Sequence, residues 1–363
     1  MGHREAATQL RGGLMTPGVA DWSAPIWSAL YWSGPYWSGP YWSALYWIVL
    51  YAVLALMGTW LALRYARAHA LFDHPGERRS HTVTTARGGG VAIVLAMLVA
   101  LLTLLLRMPS AAPIVWLVII GLTAVALAGW IDDHRPLSPW LRLVVHALAA
   151  ATLALVSLLT NGTAVEAWLA FGLTMVLINI WNFMDGIDGL ATSQALMVAA
   201  AWSTVQPSGG IGWWLCLAMV GAAAGFLPFN FPRARIFLGD VGSGALGYLI
   251  AALAVLGFDD EIGHIWMLLP LSAFLIDALL TLITRIVRGE RWWEPHMQHA
   301  YQHLARVRRG HRGTTLAYAL WTAAATAVMW WVRPGGTATI ISAVALWYLL
   351  GMGLWFAVRT VGR

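Results

Sequence analysis

The chain has 363 residues, 60% of them hydrophobic and only 10% charged, with a net charge of +6 at pH 7. Soluble domains carry about 25% charged residues, so this composition excludes a soluble enzyme, a disordered chain and a nucleic-acid module with a solvated basic face. All 22 basic residues are Arg, which rules out a Lys Schiff base or P-loop Lys, and the single cysteine, Cys216, rules out an intrachain disulfide or a cysteine zinc cluster.

In chain order the first feature is Trp22 to Tyr46, five tandem pentads reading WSAPI WSALY WSGPY WSGPY WSALY. A period of five fits neither helix nor strand. An interfacial aromatic segment would account for the Trp and Tyr; an expanded DNA repeat or an early start codon accounts for the pattern better. Residues 1–46 are therefore set apart as an N-terminal tail, and 47–363 as the working domain. Apolar runs follow at about 47–64, 88–106, 113–131, 141–159, 164–181, 190–206, 211–229, 241–257, 264–287, 314–332 and 337–358. At roughly 20 residues per span, the expected fold is all-α, a polytopic transmembrane helical bundle of about 10–11 spans in a lipid bilayer. One side of it holds only Arg4, Arg11, Arg107 and Arg333, whereas the other 18 of the 22 Arg belong to the opposite side or its helix ends. Arginine concentrates on cytoplasmic loops, so the expected N-terminus is outside and the C-terminus inside.

The polar motifs all fall in the Arg-rich loops. They are DHPGERRSH (73–81) with ARGGG (86–90), DDHRPL (132–137), NIWNFMDGIDG (179–189), NFPRARIFLGDVGSG (230–244) and EPHMQHAYQHLARVRRGHR (294–312). Five clusters on one face point to one composite site, because a transporter would place its acids at mid-membrane. Adjacent Asp132 and Asp133 repel unless a cation or a proton intervenes. Asp185 and Asp188 share a face if helical, Asp240 lies just before a helix, and Asn179 and Asn182 accompany them. Any one Asp could serve as a cap or turn residue; five together, all oxygen donors, suit Mg²⁺, with Mn²⁺ as the alternative, holding a substrate phosphate.

Gly88–Gly90 and Gly239–Gly244 each precede a helix and could admit an anion to backbone N–H groups. Arg78, Arg79, Arg87, Arg233 and Arg235 could pair phosphates. The last loop carries His296, His299, His303 and His311, without zinc-protease spacing or an evident third ligand, so a phosphate or sugar contact fits better than a metal. Asp277, the one acid deep in a span, is expected to reach the site, against the alternative of a helix–helix hydrogen bond.

NFMDGIDGLA (182–191), IFLGDVGSGALG (236–247), GWIDDHRPL (129–137) and DHPGERRSH with ARGGG together resemble the polyprenyl-phosphate N-acetylhexosamine-1-phosphate transferases of glycosyl transferase family 4, in order over about 48–312. The HMQHAYQ stretch is similar to the subgroup that starts O-antigen and related polysaccharide chains. Ala86 and His146 depart from the family pattern, and the pentad tail has no counterpart. The resemblance implies an enzyme of the bacterial inner membrane, with its site in cytoplasmic loops. It would move N-acetylhexosamine-1-phosphate from a UDP-sugar to undecaprenyl phosphate and release UMP, as the first membrane step of cell-surface polysaccharide synthesis. It implies Mg²⁺ on Asp240 and the Asn182 side-chain oxygen, Asp132 and Asp133 by the lipid phosphate, and Asp185 beside the metal. Asp188 would face the uridine end, with Asn179 among the substrate contacts. His296 and His299 would touch the diphosphate-sugar, and Arg78 and His81 match the first-loop motif. The resemblance also leaves room for a homodimer. A phosphate monoester is already mostly dianionic at pH 7, its second pKa being about 6, so Asp132 or Asp133 would serve more to orient than as an essential base. The competing readings are a transporter of an anionic sugar phosphate or lipid-linked sugar, and a non-catalytic scaffold, against which the intact acids argue.

Overall fold

Every expected apolar run is helical in the structure, a computed structural model that describes residues 40–73, 83–160, 162–257, 262–291 and 296–360. In order these helices are α1 (Pro40–Ala68), α2 (Val91–Arg107), α3 (Ala112–His134), α4 (Pro139–Leu159), α5 (Ala164–Phe183), α6 (Leu190–Ser203), α7 (Ile211–Asn230), α8 (Asp240–Leu256), α9 (Leu268–Val287), a short α10 (Ala300–Leu304), α11 (Gly310–Val332) and α12 (Thr337–Thr360). Contacts divide the chain between Ser43 and Ala44, and the helical bundle belongs to the unit from Ala44 onward. Among the described residues eight helices are long and apolar enough to cross a membrane, while α2 and α8 are apolar but 17 residues long and α6 has 14. The protein is an all-α polytopic membrane protein. Three of the eleven expected spans are thus short, because the apolar runs continue into turns; the run at 190–206 stops being helix at Ser203, and Val205 and Gln206 turn back onto Trp202 O.

Local sequence explains the helix starts. Ser138 accepts a hydrogen bond from Leu141 N with Pro139 in the first turn of α4, and Thr163 with Glu166 forms a capping box on α5.

The middle of the bundle is α8. Every residue from Val241 to Val255 is buried, and α8 packs chiefly against α3 and α5, and also touches α2, α4, α6 and α7. Its sequence, DVGSGALGYLIAALAVL, explains this, since small residues let neighbouring backbones approach. A Cβ at Gly129 of α3 would collide with the Asp240 carbonyl, so only glycine permits that crossing. Buried polar groups add interhelical ties: Tyr248 Oη meets Thr152 Oγ1 at 2.9 Å, and Gln206 Nε2 donates to Leu253 O at 3.1 Å.

At one end of α8 two short strands, β1 (Phe72–Asp73) and β2 (Thr85–Ala86), pair antiparallel, with Phe72 opposite Ala86. Ala86 also bridges Ile236 in parallel, and Phe237 N donates to Ala86 O at 2.7 Å. This clip ties the Gly88–Gly90 turn to the segment that leads into α8.

Candidate active site

The C-terminus of α3 and the N-terminus of α8 meet at this clipped end. Asp133 Oδ1 accepts from Asp240 N at 3.1 Å, and its Oδ2 accepts from Val241 N at 3.2 Å. The carboxylate therefore caps α8, satisfying two of the N–H groups a helix start leaves unpaired, where negative charge is favoured. Gly239 makes the approach: its φ is 75°, and a Cβ there would lie 2.5 Å from Asp133 Oδ2. Arg87 supports the same group, with Nε 3.7 Å from Asp133 Oδ1 and its guanidinium donating to the carbonyls of Asp132 and Asp133. Asp132 turns the other way. Its Oδ1 accepts from Leu137 N at 2.5 Å, its Oδ2 pairs with Arg142 Nη1 at 3.2 Å, and its carboxylate also faces that of Asp240. The repulsion expected between the adjacent acids is relieved by two arginines on opposite sides.

From α5, Asn182 Nδ2 reaches Asp240 Oδ1 at 3.2 Å. Half-buried Asp185 follows in the turn after α5. Burial, and then the nearby charges of Asp240 and Asp133, hold its carboxyl well above the usual carboxylate range. Among the described residues neither Asp185 nor Asp240 has an arginine or histidine within ion-pairing distance. Among the described residues, then, Asp185 and Asp240 form a concentration of acid with no directly paired cation, Arg142 acting on Asp240 only from a distance. Its donors are all oxygens once the Asn182 amide turns to present Oδ1, which suits a hard divalent cation. Among the described residues no three His, Cys, Asp or Glu side chains are arranged as a complete metal cage. That agrees with a cation held by one or two protein carboxylates, since Mg²⁺ takes its remaining ligands from water and phosphate.

Asp188 stands apart from this cluster. Its Oδ2 accepts from Ala234 N at 3.3 Å, its Oδ1 lies 3.2 Å from His311 Nδ1, and its carbonyl accepts from Thr315 Oγ1 at 2.8 Å. Asn230 braces the same loop, accepting from Gly189 N at 3.1 Å and donating to Ile236 O at 3.1 Å. Asn179 lies within α5 and donates to Met175 O at 2.7 Å, back along its own helix.

His296 and His299 come together, ring centroids 4.8 Å apart, and the His299 ring lies 6.3 Å from that of Phe183, the residue after Asn182. Burial, helped by the His299 and Arg285 charges, pushes His296 down to about 4, so it is a neutral imidazole at pH 7. Arg78 and His81 lie outside the described residues.

Three expectations change. The N–H groups of the glycine turns do not await an anion, since Gly89 N and Gly90 N donate to Phe237 O and Leu238 O and the α8 start is taken by Asp133. Arg87 and Arg235 are not phosphate arms; Arg87 serves Asp133, and Arg235 donates to Pro228 O and lies over the Phe229 ring. Asp277 does not project into the acid cluster. It caps α10 and gathers donors from its surroundings. Features that the motifs did not single out are Arg142, His311's tie to Asp188 and Asn230 as a brace. Arg142 had a visible signal, an arginine just inside an apolar run.

Comparison with known proteins agrees with the geometry. The glycosyl transferase family 4 profile matches residues 115–258, the stretch that contains Asp132, Asp133, Asn182, Asp185, Asp188 and Asp240. The chain is 27% identical to a decaprenyl-phosphate N-acetylglucosaminephosphotransferase of Mycobacterium leprae, over 74% of this chain and 79% of that protein. It is also 27% identical to a probable undecaprenyl-phosphate N-acetylglucosaminyl 1-phosphate transferase of Bacillus subtilis, over 72% and 77%. A phospho-N-acetylmuramoyl-pentapeptide-transferase of Synechococcus elongatus is 28% identical over 65% and 70%. These relatives are named as transferases of N-acetylglucosamine phosphate to a polyprenyl phosphate or of phospho-N-acetylmuramoyl-pentapeptide, and over residues 115–258 this chain is similar to glycosyl transferase family 4.

Proposed function

We propose that the protein transfers N-acetylhexosamine-1-phosphate from a UDP-sugar to undecaprenyl phosphate, releasing UMP, at the cytoplasmic face of a bacterial inner membrane. The observation that carries this reading is the meeting of Asp132, Asp133, Asn182, Asp185 and Asp240 at one end of an apolar bundle, with Asp185 and Asp240 lacking a directly paired cation among the described residues. Two anionic substrates cannot approach such a cluster without a countercharge. Asp240 and Asn182, with Asp185 beside them, would hold Mg²⁺. A divalent ion so held screens the two phosphates and stabilises the charge developing on the departing UMP. The N-acetylglucosamine in the names of two relatives supports an N-acetylhexosamine donor.

The chain's own residues divide the remaining work. Asp133 fixes the start of α8 and thereby the direction in which Asp240 points. Asp132, oriented by Arg142, borders the position proposed for the lipid phosphate. Asp188, held by His311, would contact the uridine end, with Asn179 one turn before Asn182. His296, neutral at pH 7, and His299 would contact the diphosphate-sugar from above Phe183. In-line transfer to an already dianionic lipid phosphate needs positioning more than proton removal. In our reading the segment before Ala44 lies outside this catalytic fold, a boundary earlier than the expected 46, because α1 already includes Ala44–Tyr46.

The test is UMP release by purified enzyme given UDP-N-acetylglucosamine or another UDP-N-acetylhexosamine, undecaprenyl phosphate and Mg²⁺. Asp240→Asn is expected to lower kcat by about 100-fold or more, as loss of a group stabilising transition-state charge does. No UMP from any of these donors would overturn the enzyme reading and favour a transporter. Undiminished release without divalent cation would overturn the metal assignment alone.

A further inference from the structure

Asp277 lies in α9, is 2% exposed and has no part in the proposed reaction. Few buried carboxylates are so fully engaged. Oδ1 accepts from Ala300 N at 2.7 Å, Trp355 Nε1 at 3.2 Å and Thr281 Oγ1 at 3.3 Å. Oδ2 accepts from Tyr318 Oη at 2.7 Å and Tyr301 N at 3.0 Å. The His299 ring lies beside it, Nδ1 3.7 Å from Oδ1. Burying a carboxylate costs several kcal/mol unless such partners replace water, and here the partners come from four different helices or their caps.

Two of those donors, Ala300 N and Tyr301 N, are the first N–H groups of α10. α10 runs on into a π-helical turn, Ala305–Arg309, and the two together are still shorter than the roughly 12–15 residues that an isolated helix needs, so the position of α10 depends on its tertiary contacts, those at its start among them. What α10 carries is then decided by Asp277. His299 immediately precedes it, and Tyr301 reaches across to donate from Oη to Phe183 O at 3.0 Å. Tyr301 also lies against the turn of Asp185, where its hydroxyl occupies the space a Cβ on Gly186 would need.

We propose that Asp277 is a positioning residue. It docks the His296–Leu304 segment over the Asn182–Asp185 turn and so sets the contact of His299 with the sugar nucleotide. The kinetic part rests on the transferase reading; the docking itself does not.

Asp277→Asn leaves one acceptor and turns an amide N–H toward groups that are themselves donors. Two measurements test the proposal. Hydrogen exchange of the purified protein should show faster exchange at Ala300–Leu304 in Asp277→Asn, with other helices unchanged. Steady-state kinetics should show KM for the UDP-sugar raised by about 10-fold and KM for undecaprenyl phosphate within about 3-fold, the separation expected for a binding contact to one substrate. Adding His299→Ala to Asp277→Asn should cost less than about 2-fold more, because residues acting through one contact are non-additive. Unchanged exchange at α10, an unchanged KM in a folded variant, or full additivity with His299→Ala would each overturn the proposal. If Asp277→Asn does not fold, Tyr318→Phe and Trp355→Phe remove one side-chain donor to Asp277 each; faster exchange of α10 and a higher UDP-sugar KM support the proposal, and two silent variants overturn it. Wild-type protein that releases no UMP yet loses α10 protection in Asp277→Asn would refute the transferase reading while leaving the docking intact.

Discussion

Asp132 and Asp133 are neighbours in sequence but do different jobs. Asp133 gives both oxygens to the backbone of α8, and Asp132 faces Arg142 and Asp240. A carboxylate that accepts two helix N–H groups has a structural task, capping the start of α8 and fixing its direction. Asp133→Asn, keeping the shape but losing charge and one acceptor, is therefore expected to reduce kcat by a constant factor of about 10–100 from pH 6 to pH 9, the range of effect of a disturbed catalytic constellation. A pH–rate profile of wild type and variant checks this, and a loss that shrinks as pH rises would restore Asp133 as the base. His296 offers the opposite case, a group whose titration matters for stability. Its folded pKa is pushed down to about 4, below the ordinary histidine value near 6.5. Between those values the unfolded chain binds a proton that the folded chain refuses, so this contribution to stability is complete above about pH 6.5 and falls away as pH drops toward 4. Wild type should thus lose more Tm than His296→Gln on going from pH 7 to pH 4.5, read by thermal unfolding in detergent. Equal losses would mean that His296 is not desolvated. Neither role was legible in the sequence, which presents Asp133 as one of a pair of acids and His296 as one of four histidines. What separates them is which backbone comes near in space.

The elements show a different balance between pattern and position. Helix after helix was legible as an apolar run, since burial in lipid and burial in protein both demand the same side chains. Span length was less legible for α6 and α8. Runs such as 190–206 and 241–257 contain residues that are apolar but surrounded by protein, and apolarity alone does not reveal that α8 has no lipid face. The GDVGSG motif was visible, yet its glycines read as an anion cradle, whereas Gly239 is there to let α8 begin against Asp133. Gly239 has φ 75° and ψ 171°, and a Cβ would lie 2.5 Å from Asp133 Oδ2 and 2.8 Å from Gly88 N. Backbone in this region is nearly restricted to glycine and costs about 1–3 kcal/mol for other residues; the contacts add overpacking of similar size. Gly239→Ala should lower stability by about 2–4 kcal/mol and abolish most UMP release together. Gly353→Ala in α12, with nothing within 4 Å of its would-be Cβ, is the control. It should be neutral or stabilising by up to about 1 kcal/mol. Chemical denaturation in mild detergent compares the two, and equal effects would show that the α8 start tolerates a side chain.

At the scale of the whole molecule the sparse charges are sorted by end. The Asp132, Asp133, Asp185 and Asp240 cluster, Asp188 with His311, the His296–His299 pair and the basic stretch around Arg306 and Arg312 belong to one end of the bundle, joined there by the clip between Ala86 and Ile236–Phe237. At the other end Arg107 lies over the rings of Trp47 and Trp214, and Arg333 over Trp266, cations beside tryptophans as in an interfacial belt. Of the arginines in described residues, Arg107 and Arg333 are at that end, and by sequence 18 of the 22 arginines are assigned to the opposite side or its helix ends. The physical basis of the positive-inside rule is the retention of arginine-rich loops on the cytoplasmic side during insertion, and here the bias runs the same way in loop after loop. A sugar nucleotide is a soluble dianion, so the end that receives it must open to the compartment in which it is made. Both considerations favour the proposed orientation, with the acid cluster on the cytoplasmic side. A green fluorescent protein fused after Arg363 is accordingly expected to fluoresce, and alkaline phosphatase fused at the same point to be inactive. The phosphatase joined after Gly336, between α11 and α12, should be active. The opposite pattern would put the site on the outer face, where cytoplasmic UDP-sugar has no access, and the proposed donor would have to be abandoned along with the orientation.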